Sequence, residues 1–224
     1  MRYYPIFLDL RGRRSVVVGG GRVAERKVRA LVRSGADVQV ISPDLTPRLV
    51  ILAAKKKISV TPRAYRPGDL AGMQGSSGRP PLLVLAATDD PPTQEAVRRD
   101  AEAAGALVNV ADDRARSSFL VPATFRQGDL QVAISTSGAS PALARRLRRE
   151  VQVALGREYR GYVRFLRAAR KQIAKTIPSQ AQRAQVFRRL SDGLALDWFR
   201  AAGPGRARKE IGNFLRKLGA KTRG

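Results

Sequence analysis

The sequence predicts an α/β protein: a doubly wound parallel sheet, then a small α+β segment, then a C-terminal helical region. Three observations carry this. A β-branched run, Val16, Val17 and Val18, stops at three glycines and passes into helix-forming sequence with apolar residues at Val23, Ala24, Val28 and Leu31. Strand-like and helix-like stretches then alternate through the first half of the chain. Residues 82–87 are continuously apolar, as a parallel strand covered on both faces must be.

The elements follow in order. Strand one is expected over residues 15–18 and its helix over 23–34, closed by Gly35. A second strand falls at 37–42, a short helix at 45–54 and a third strand at 58–61. Residues 66–81 are rich in Gly, Pro and Ser and read as a loop. The apolar strand at 82–87 leads to a helix over 92–104, Gly105, and a fifth strand at 107–110. These βα repeats define a domain over residues 1–113.

After Asp113 the rhythm changes. Runs at 119–125 and 130–135 are strand-like and flank Arg126-Gln-Gly-Asp129, the signature of a hairpin. Ser140 and Pro141 open a helix to about residue 155, with Ser as cap and Pro in the first turn. Leu143, Leu147, Val151 and Leu155 make one apolar stripe along it. Residues 114–150 thus form a hairpin-and-helix segment suited to dimerisation. Residues 151–224 form a basic helical domain, with breaks near 177–179, 192–193 and 203–205 and a basic tail from Lys217.

Composition narrows the chemistry. The chain has no cysteine and no histidine, so thiolate ligands, catalytic thiols and imidazole bases are excluded. No metal site is expected, and proton transfer near neutral pH falls to a carboxylate, Lys or Tyr. The net charge is +25, with residues 1–113 contributing +6 and residues 114–224 contributing +19. Such a surplus suits nucleic acid, an acidic membrane surface or a polyanionic small molecule, and charge alone does not choose among them. The N-terminal apolar run is too short for a signal peptide, and no run reaches the roughly 18 apolar residues of a spanning helix. A cytoplasmic protein with no membrane partner is expected.

Gly19, Gly21 and Ala24 match the G-x-G-x-x-G/A fingerprint of a Rossmann dinucleotide site. The first glycine allows the tight turn, the second lets a pyrophosphate approach the backbone, and the small third residue lets the helix pack on the sheet. The helix N-terminus then faces the phosphates. Ligands in such folds lie beyond the carboxyl ends of the strands, so three further strand ends matter. Ser42, Pro43 and Asp44 follow strand two, where an acid would meet the adenosine ribose. No Arg follows immediately, which favours NAD over NADP. In Ala86-Ala-Thr-Asp-Asp90, Thr88 is the better candidate for a cofactor contact, since Asp89 or Asp90 suits a helix cap at least as well. Asn109 lies at the end of strand five as a candidate substrate contact, and Asp112 follows the strand. Asp112 would lie at the nicotinamide end of the cleft as acid/base candidate, or serve simply as a turn residue. Ser135, Thr136, Ser137 and Gly138 approach a helix N-terminus and would form an anion-binding nest for substrate, unless they only cap the helix.

Taken together these segments resemble the precorrin-2 dehydrogenase / sirohydrochlorin ferrochelatase family, the N-terminal module of sirohaem synthases. The resemblance rests on Tyr4-Pro-Ile-Phe-Leu8, Val18-Gly-Gly-Gly-Arg-Val-Ala-Glu-Arg-Lys27, Ala86-Ala-Thr-Asp-Asp90, Asn109-Val-Ala-Asp112, Ser118-Phe-Leu-Val-Pro122 and the stretch from Val132 to Ala144. It implies NAD-dependent oxidation of precorrin-2 to sirohydrochlorin, towards sirohaem or cobalamin, by a homodimer. It carries the catalytic aspartate onto Asp112, and cofactor contacts onto the glycine loop with Arg22 and Val23 and onto Pro43 and Asp44. Many relatives also insert ferrous iron. A chain without His or Cys offers only carboxylates and hydroxyls for that step, which leaves the second activity open.

Two readings of other classes compete. A nucleotide-sensing regulatory module would need the glycine loop but not the segments at 109–112 and 132–144. A basic nucleic-acid-binding protein would use the +19 half, yet that region has few aromatics and no recognition motif. Only non-specific nucleic-acid contact is expected.

Overall fold

In a computed structural model, five strands form one wholly parallel sheet: β1 (Arg14–Val18), β2 (Asp37–Ile41), β3 (Ser59–Thr61), β4 (Leu83–Ala86) and β5 (Leu107–Val110). The structure describes residues 3–73, 75, 78–191, 196, 197, 199, 200, 205, 209, 212 and 213. The spatial order is β3-β2-β1-β4-β5, so the winding direction reverses between β1 and β4. That is the doubly wound architecture the alternating pattern predicts. Helices α1 (Arg22–Arg33), α2 (Pro47–Ala54) and α3 (Pro91–Ala103) make the crossovers after β1, β2 and β4.

Alternation along each strand builds two cores. Val17, Val38, Val40, Leu83 and Leu85 turn to one face, where Ala24, Val28 and Leu31 of α1 and Leu49 of α2 cover them. Val16, Val18, Val84, Ala86, Val108 and Val110 turn to the other, against Val97 and Ala101 of α3. The loop between β3 and β4 contributes Tyr65 and Leu70 to that second face, in place of a helix. Polar pairs hold the loop in shape. Asp69 accepts from Arg63 at 2.7 and 2.9 Å, and Asp100 of α3 accepts from the Tyr65 hydroxyl and, at 2.7 Å, from the Gly68 amide. Burial, then the Asp100 carboxylate, pushes the Tyr65 phenol above its ordinary range.

The chain divides into two compact units, Met1–Val121 and Pro122–Gly224. The division falls beyond the change of rhythm at Asp113, because the intervening residues return to β5. The Ser118 amide donates to Val108 O at 2.9 Å and the Ser118 hydroxyl accepts from the Val108 amide at 2.8 Å. Ser117 Oγ accepts from the Val110 amide at 3.0 Å. Residues 119–122 therefore do not join the strand expected at 119–125, which begins only at Ala123.

In the second unit, β6 (Ala123–Gln127) and β7 (Leu130–Ile134) form an antiparallel hairpin closed by Gly128 and Asp129, with Gly128 at φ +63°. Helix α4 (Pro141–Ala154) is capped by Ser140, whose Oγ accepts from the Leu143 amide at 3.1 Å. Helices α5 (Tyr159–Thr176) and α6 (Gln180–Ser191) pack through Tyr162, Ala169, Ile173, Val186 and Leu190. The Tyr162 hydroxyl donates to Leu190 O at 2.6 Å. The break expected at 177–179 separates α5 from α6; the breaks at 192–193 and 203–204 and the tail from Lys217 lie outside the described residues. No helix among the described residues is long and apolar enough to cross a membrane.

Candidate nucleotide-binding and catalytic site

The parallel register sets the carboxyl ends of the strands in one row: Thr61, Ile41, Val18, Ala86 and Val110 are mutual partners across the sheet. Everything that follows those residues emerges along one edge. The glycine turn lies at the centre, Pro43 and Asp44 one strand to one side, and Thr88 one strand to the other. Asp112 lies a further strand out. Strands sit about 4.8 Å apart, so the glycines and the end of β5 are separated by roughly 10 Å. An extended dinucleotide spans such a row from ribose to reactive ring.

The glycine turn is shaped by close approach on two sides. Gly19 has φ +109°, and a Cβ there would stand 2.3 Å from the Ala87 carbonyl oxygen. A Cβ on Gly20 would stand 1.9 Å from the Asp44 carbonyl oxygen. Gly20, which the fingerprint leaves as a free position, is thus sterically required. Gly21 differs, since nothing lies within 4 Å of where its Cβ would be. It is the N-cap of α1 and supplies no side-chain cap. The opening amides of α1, at Arg22 and Val23, therefore have no side-chain cap at the positive end of the helix dipole. Arg22 is exposed, Val23 is 38% exposed and Ala24 is fully buried against the sheet. An open backbone cradle with uncapped amides fits a pyrophosphate.

Pro43 and Asp44 are exposed at the end of β2, and Ser42 Oγ donates to the Asp44 carbonyl at 2.8 Å, fixing the turn. Thr88 Oγ1 accepts from the Asp90 amide at 3.3 Å, and its carbonyl accepts from Gln94 Nε2 at 2.7 Å. Of the two neighbouring acids, Asp90 is the cap of α3, accepting from the Thr93 amide at 2.9 Å.

After β5, Asp112 is exposed and takes φ +57°, left-handed backbone that few non-glycine residues adopt. Asp113 is committed elsewhere: it accepts from the Arg116 amide at 2.9 Å and from Arg116 Nε at 2.6 Å. Those bonds hold its carboxyl below the ordinary range. Asn109 is 7% exposed, and both ends of its amide are used inside the protein. Its Nδ2 donates to Phe119 O at 3.0 Å, and its Oδ1 accepts from the Lys27 ammonium. The residue expected to touch substrate is therefore engaged as an internal polar bridge. Lys27 was not singled out by sequence reasoning, since a lysine within an amphipathic helix gives no signal of what it faces. Burial pushes its ammonium down to about 8; Arg26 adds to the shift and Asp112 opposes it.

In the second unit, residues 135–140 form a self-bonded turn. The Ser137 amide donates to Ser135 Oγ at 3.1 Å, the Ser140 amide to Thr136 Oγ1 at 3.0 Å and the Ala139 amide to Thr136 O at 2.9 Å. Ser137 and Gly138 are both left-handed, at φ +53° and +82°. The capping role considered for Ser140 is observed. Among the described residues no group of three or more acids is placed to hold a metal.

The fold and its glycine cradle define a dinucleotide-binding protein of the doubly wound α/β class. A sequence model of the family described as "Putative NAD(P)-binding" matches residues 6–123, and the chain belongs to that family. A second model, described as "Sirohaem biosynthesis protein central", matches residues 127–153. The chain is 35% identical over 224 residues to a siroheme synthase of Chromobacterium violaceum, covering all of this chain and 46% of the relative. It is 34% identical over 223 residues to siroheme synthase 1 of Aeromonas salmonicida, covering 99% of this chain and 46% of that one. It thus spans about half the length of the curated relatives it matches. Among solved structures it is similar to SirC, a precorrin-2 dehydrogenase, with TM-score 0.75 and 26% identity, covering 94% of this chain and 100% of the other.

Proposed function

We propose that this chain is an NAD-dependent precorrin-2 dehydrogenase that forms sirohydrochlorin in sirohaem biosynthesis. The observation that carries the reading is the single row of strand ends, with the uncapped glycine cradle at its centre and an exposed carboxylate, Asp112, at the end of β5. The likeness to a precorrin-2 dehydrogenase over nearly the whole chain, and to siroheme synthases in sequence, supports it.

In this reading the first-turn amides of α1, with Gly21, Arg22 and Val23, hold the pyrophosphate. Pro43 and Asp44 border the adenosine ribose, and Thr88 lies beside the nicotinamide half. Bound NAD supplies the acceptor for a hydride leaving the tetrapyrrole. Oxidation removes two electrons and two hydrogens, so one proton must leave as well, and Asp112 accepts it. Asp113, bound to Arg116, is the poorer candidate. Asp112 stands two residues beyond the end of β5, in a left-handed turn. Precorrin-2 carries eight carboxylates, and a net charge of +25 favours its approach. Ser135, Thr136, Ser137 and Gly138, the polar turn that leads into α4, are assigned to the substrate.

We further infer a twofold homodimer. On α4 only Ala144 is buried, while Leu143 is 41% exposed and Leu147 and Val151 are half-exposed, so the apolar stripe lacks full cover. The deciding assay incubates the purified chain with NAD and precorrin-2 and records the spectrum of sirohydrochlorin together with NADH. Formation of both in equal amounts is expected. Absence of both, with NAD bound, would overturn the reading.

A further inference from the structure

Arg116 has no part in the scheme above, yet it joins the two strand ends on which that scheme depends. Its backbone amide donates to Asp113 Oδ1 at 2.9 Å and its Nε to Asp113 Oδ2 at 2.6 Å, so one residue holds both carboxylate oxygens. Its Nη2 donates to Gln94 Oε1 of α3 at 3.4 Å, and its Nη1 stands 4.0 Å from Glu95 Oε2. Gln94 in turn donates from Nε2 to the Thr88 carbonyl at 2.7 Å. One guanidinium thus connects the turn after β5 to the opening of α3 and, through Gln94, to the segment after β4.

Asp112 lies inside the turn that this arginine closes. On one side of it the Ala111 amide donates to Ala86 O at 2.8 Å, at the end of β4. On the other, the Asp113 amide donates to Val110 O at 3.3 Å, and the Asp113 carbonyl accepts from Ser117 Oγ at 2.5 Å. Between these fixed points Asp112 takes φ +57°. Left-handed backbone is disfavoured for a residue with a side chain and persists only where its surroundings over-determine it. Asp112 is exposed, so those surroundings act through the backbone on either side. Ala111 is tied to the sheet. Asp113 is tied to Arg116 by charge-assisted bonds, the stronger kind. A lysine would supply a point charge in place of a planar fork that reaches Asp113 and Gln94 at once.

We propose that Arg116 is a positioning residue: through Asp113 it holds the turn that carries Asp112, and through α3 it fixes that turn against the segment that carries Thr88. The assignment rests on the dehydrogenase reading, in which Asp112 takes the substrate proton and Thr88 borders the cofactor. Arg116 itself touches neither substrate nor cofactor in this scheme. Its effect on turnover therefore passes through Asp112 and vanishes when that carboxylate is gone.

The test is a double-mutant cycle on Arg116→Ala and Asp112→Asn, read in kcat, KM and NAD affinity. With Asp112 in place, Arg116→Ala is expected to lower kcat about tenfold, with KM and NAD affinity changed by less than about twofold. In the Asp112→Asn background, followed by single turnover, the same change is expected to cost less than about twofold, because no base remains to be positioned. An unchanged kcat in Arg116→Ala overturns the proposal, as do equal losses in both backgrounds or a parallel loss of NAD binding. Should the alanine variant not fold, Arg116→Gln, which keeps part of the aliphatic stem, is judged by the same criteria. Should the wild-type protein not oxidise precorrin-2, the dehydrogenase reading fails, and amide hydrogen exchange still judges the brace. Exchange at Ala111 and Asp113 is expected to quicken about tenfold or more in Arg116→Ala, with the amides of β1 unchanged. Unaltered exchange on both sides of Asp112 would refute the hold.

Discussion

The Gly19 backbone is pressed against Ala87, so closely that a Cβ on the glycine would stand 2.3 Å from the Ala87 carbonyl oxygen. The turn after β1 is therefore wedged against the end of β4, at the point where the winding of the sheet reverses. Gly20 is wedged on the opposite side, against Asp44. Between these two contacts the chain can only emerge with Gly21 facing outward. Packing alone thus sets the cradle before any ligand arrives.

Gly20→Ala is expected to destabilise the protein by about 2–3 kcal/mol, since backbone rather than a flexible side chain must yield to the new methyl. In a chain of this size that is a fall of several degrees in Tm, about 2–4 °C for each kcal/mol. Gly21→Ala, with open space at its Cβ, should change stability by less than about 1 kcal/mol. Thermal and urea unfolding of the pair checks the contrast. Equal losses would mean that the crowding at Asp44 relaxes freely.

Gly21→Asp separates binding from folding. An aspartate at the N-cap of α1 can accept a first-turn amide and should leave stability unchanged or slightly raised. The same carboxylate would stand where the pyrophosphate lies. NAD affinity is expected to fall more than about tenfold, equivalent to about 1.4 kcal/mol. Calorimetric titration of the folded variant measures it, and an unaltered Kd would remove the cofactor from this loop.

Asp112→Asn isolates charge from shape. Asparagine tolerates the left-handed backbone at φ +57°, whereas alanine pays for it. Turnover with precorrin-2 should drop about a hundredfold or more, the scale of a lost general base, with NAD affinity retained. Near-normal activity would leave Asp112 a turn residue, and loss of NAD binding as well would make it structural.

Lys27 also predicts how stability varies with pH. Its folded-state value of about 8 lies below the ordinary 10.5. Between those values the unfolded chain binds the proton and the folded chain does not, so the lysine's contribution to stability rises with pH there. Below pH 8 the folded protein carries the cost of a buried cation in full. Wild type should therefore gain on Lys27→Met as pH climbs from 8 to 10.5, read from denaturation midpoints at matched salt. A constant difference across that window would mean a solvated lysine.

For assembly, light scattering at micromolar concentration and moderate salt is expected to give a dimer for wild type and a monomer for Leu143→Glu. A monomeric wild type would count against the apolar stripe of α4 as an interface. Low salt is unsuitable, because self-repulsion at +25 opposes association.

What the sequence determined by itself was whatever depends on neighbours along the chain. The period of apolar residues located the parallel strands and their helices. Gly19, Gly21 and Ala24 announced the turn, and Ser140 announced the cap of α4. These signals are local because turn geometry, capping and amphipathic spacing involve residues within a few positions of one another. Tertiary structure decided what depends on partners far apart in sequence. Gly20 reads as an ordinary position until Asp44 comes up against it. Lys27 reads as a solvated helix residue until β5 brings Asn109 beneath its ammonium, 82 residues away. The run at 119–122 looks like strand, but Ser117 and Ser118 tie its approach to the edge of β5. Side-chain contacts across a sheet are fixed by strand order and register, and neither is encoded in any single stretch of chain.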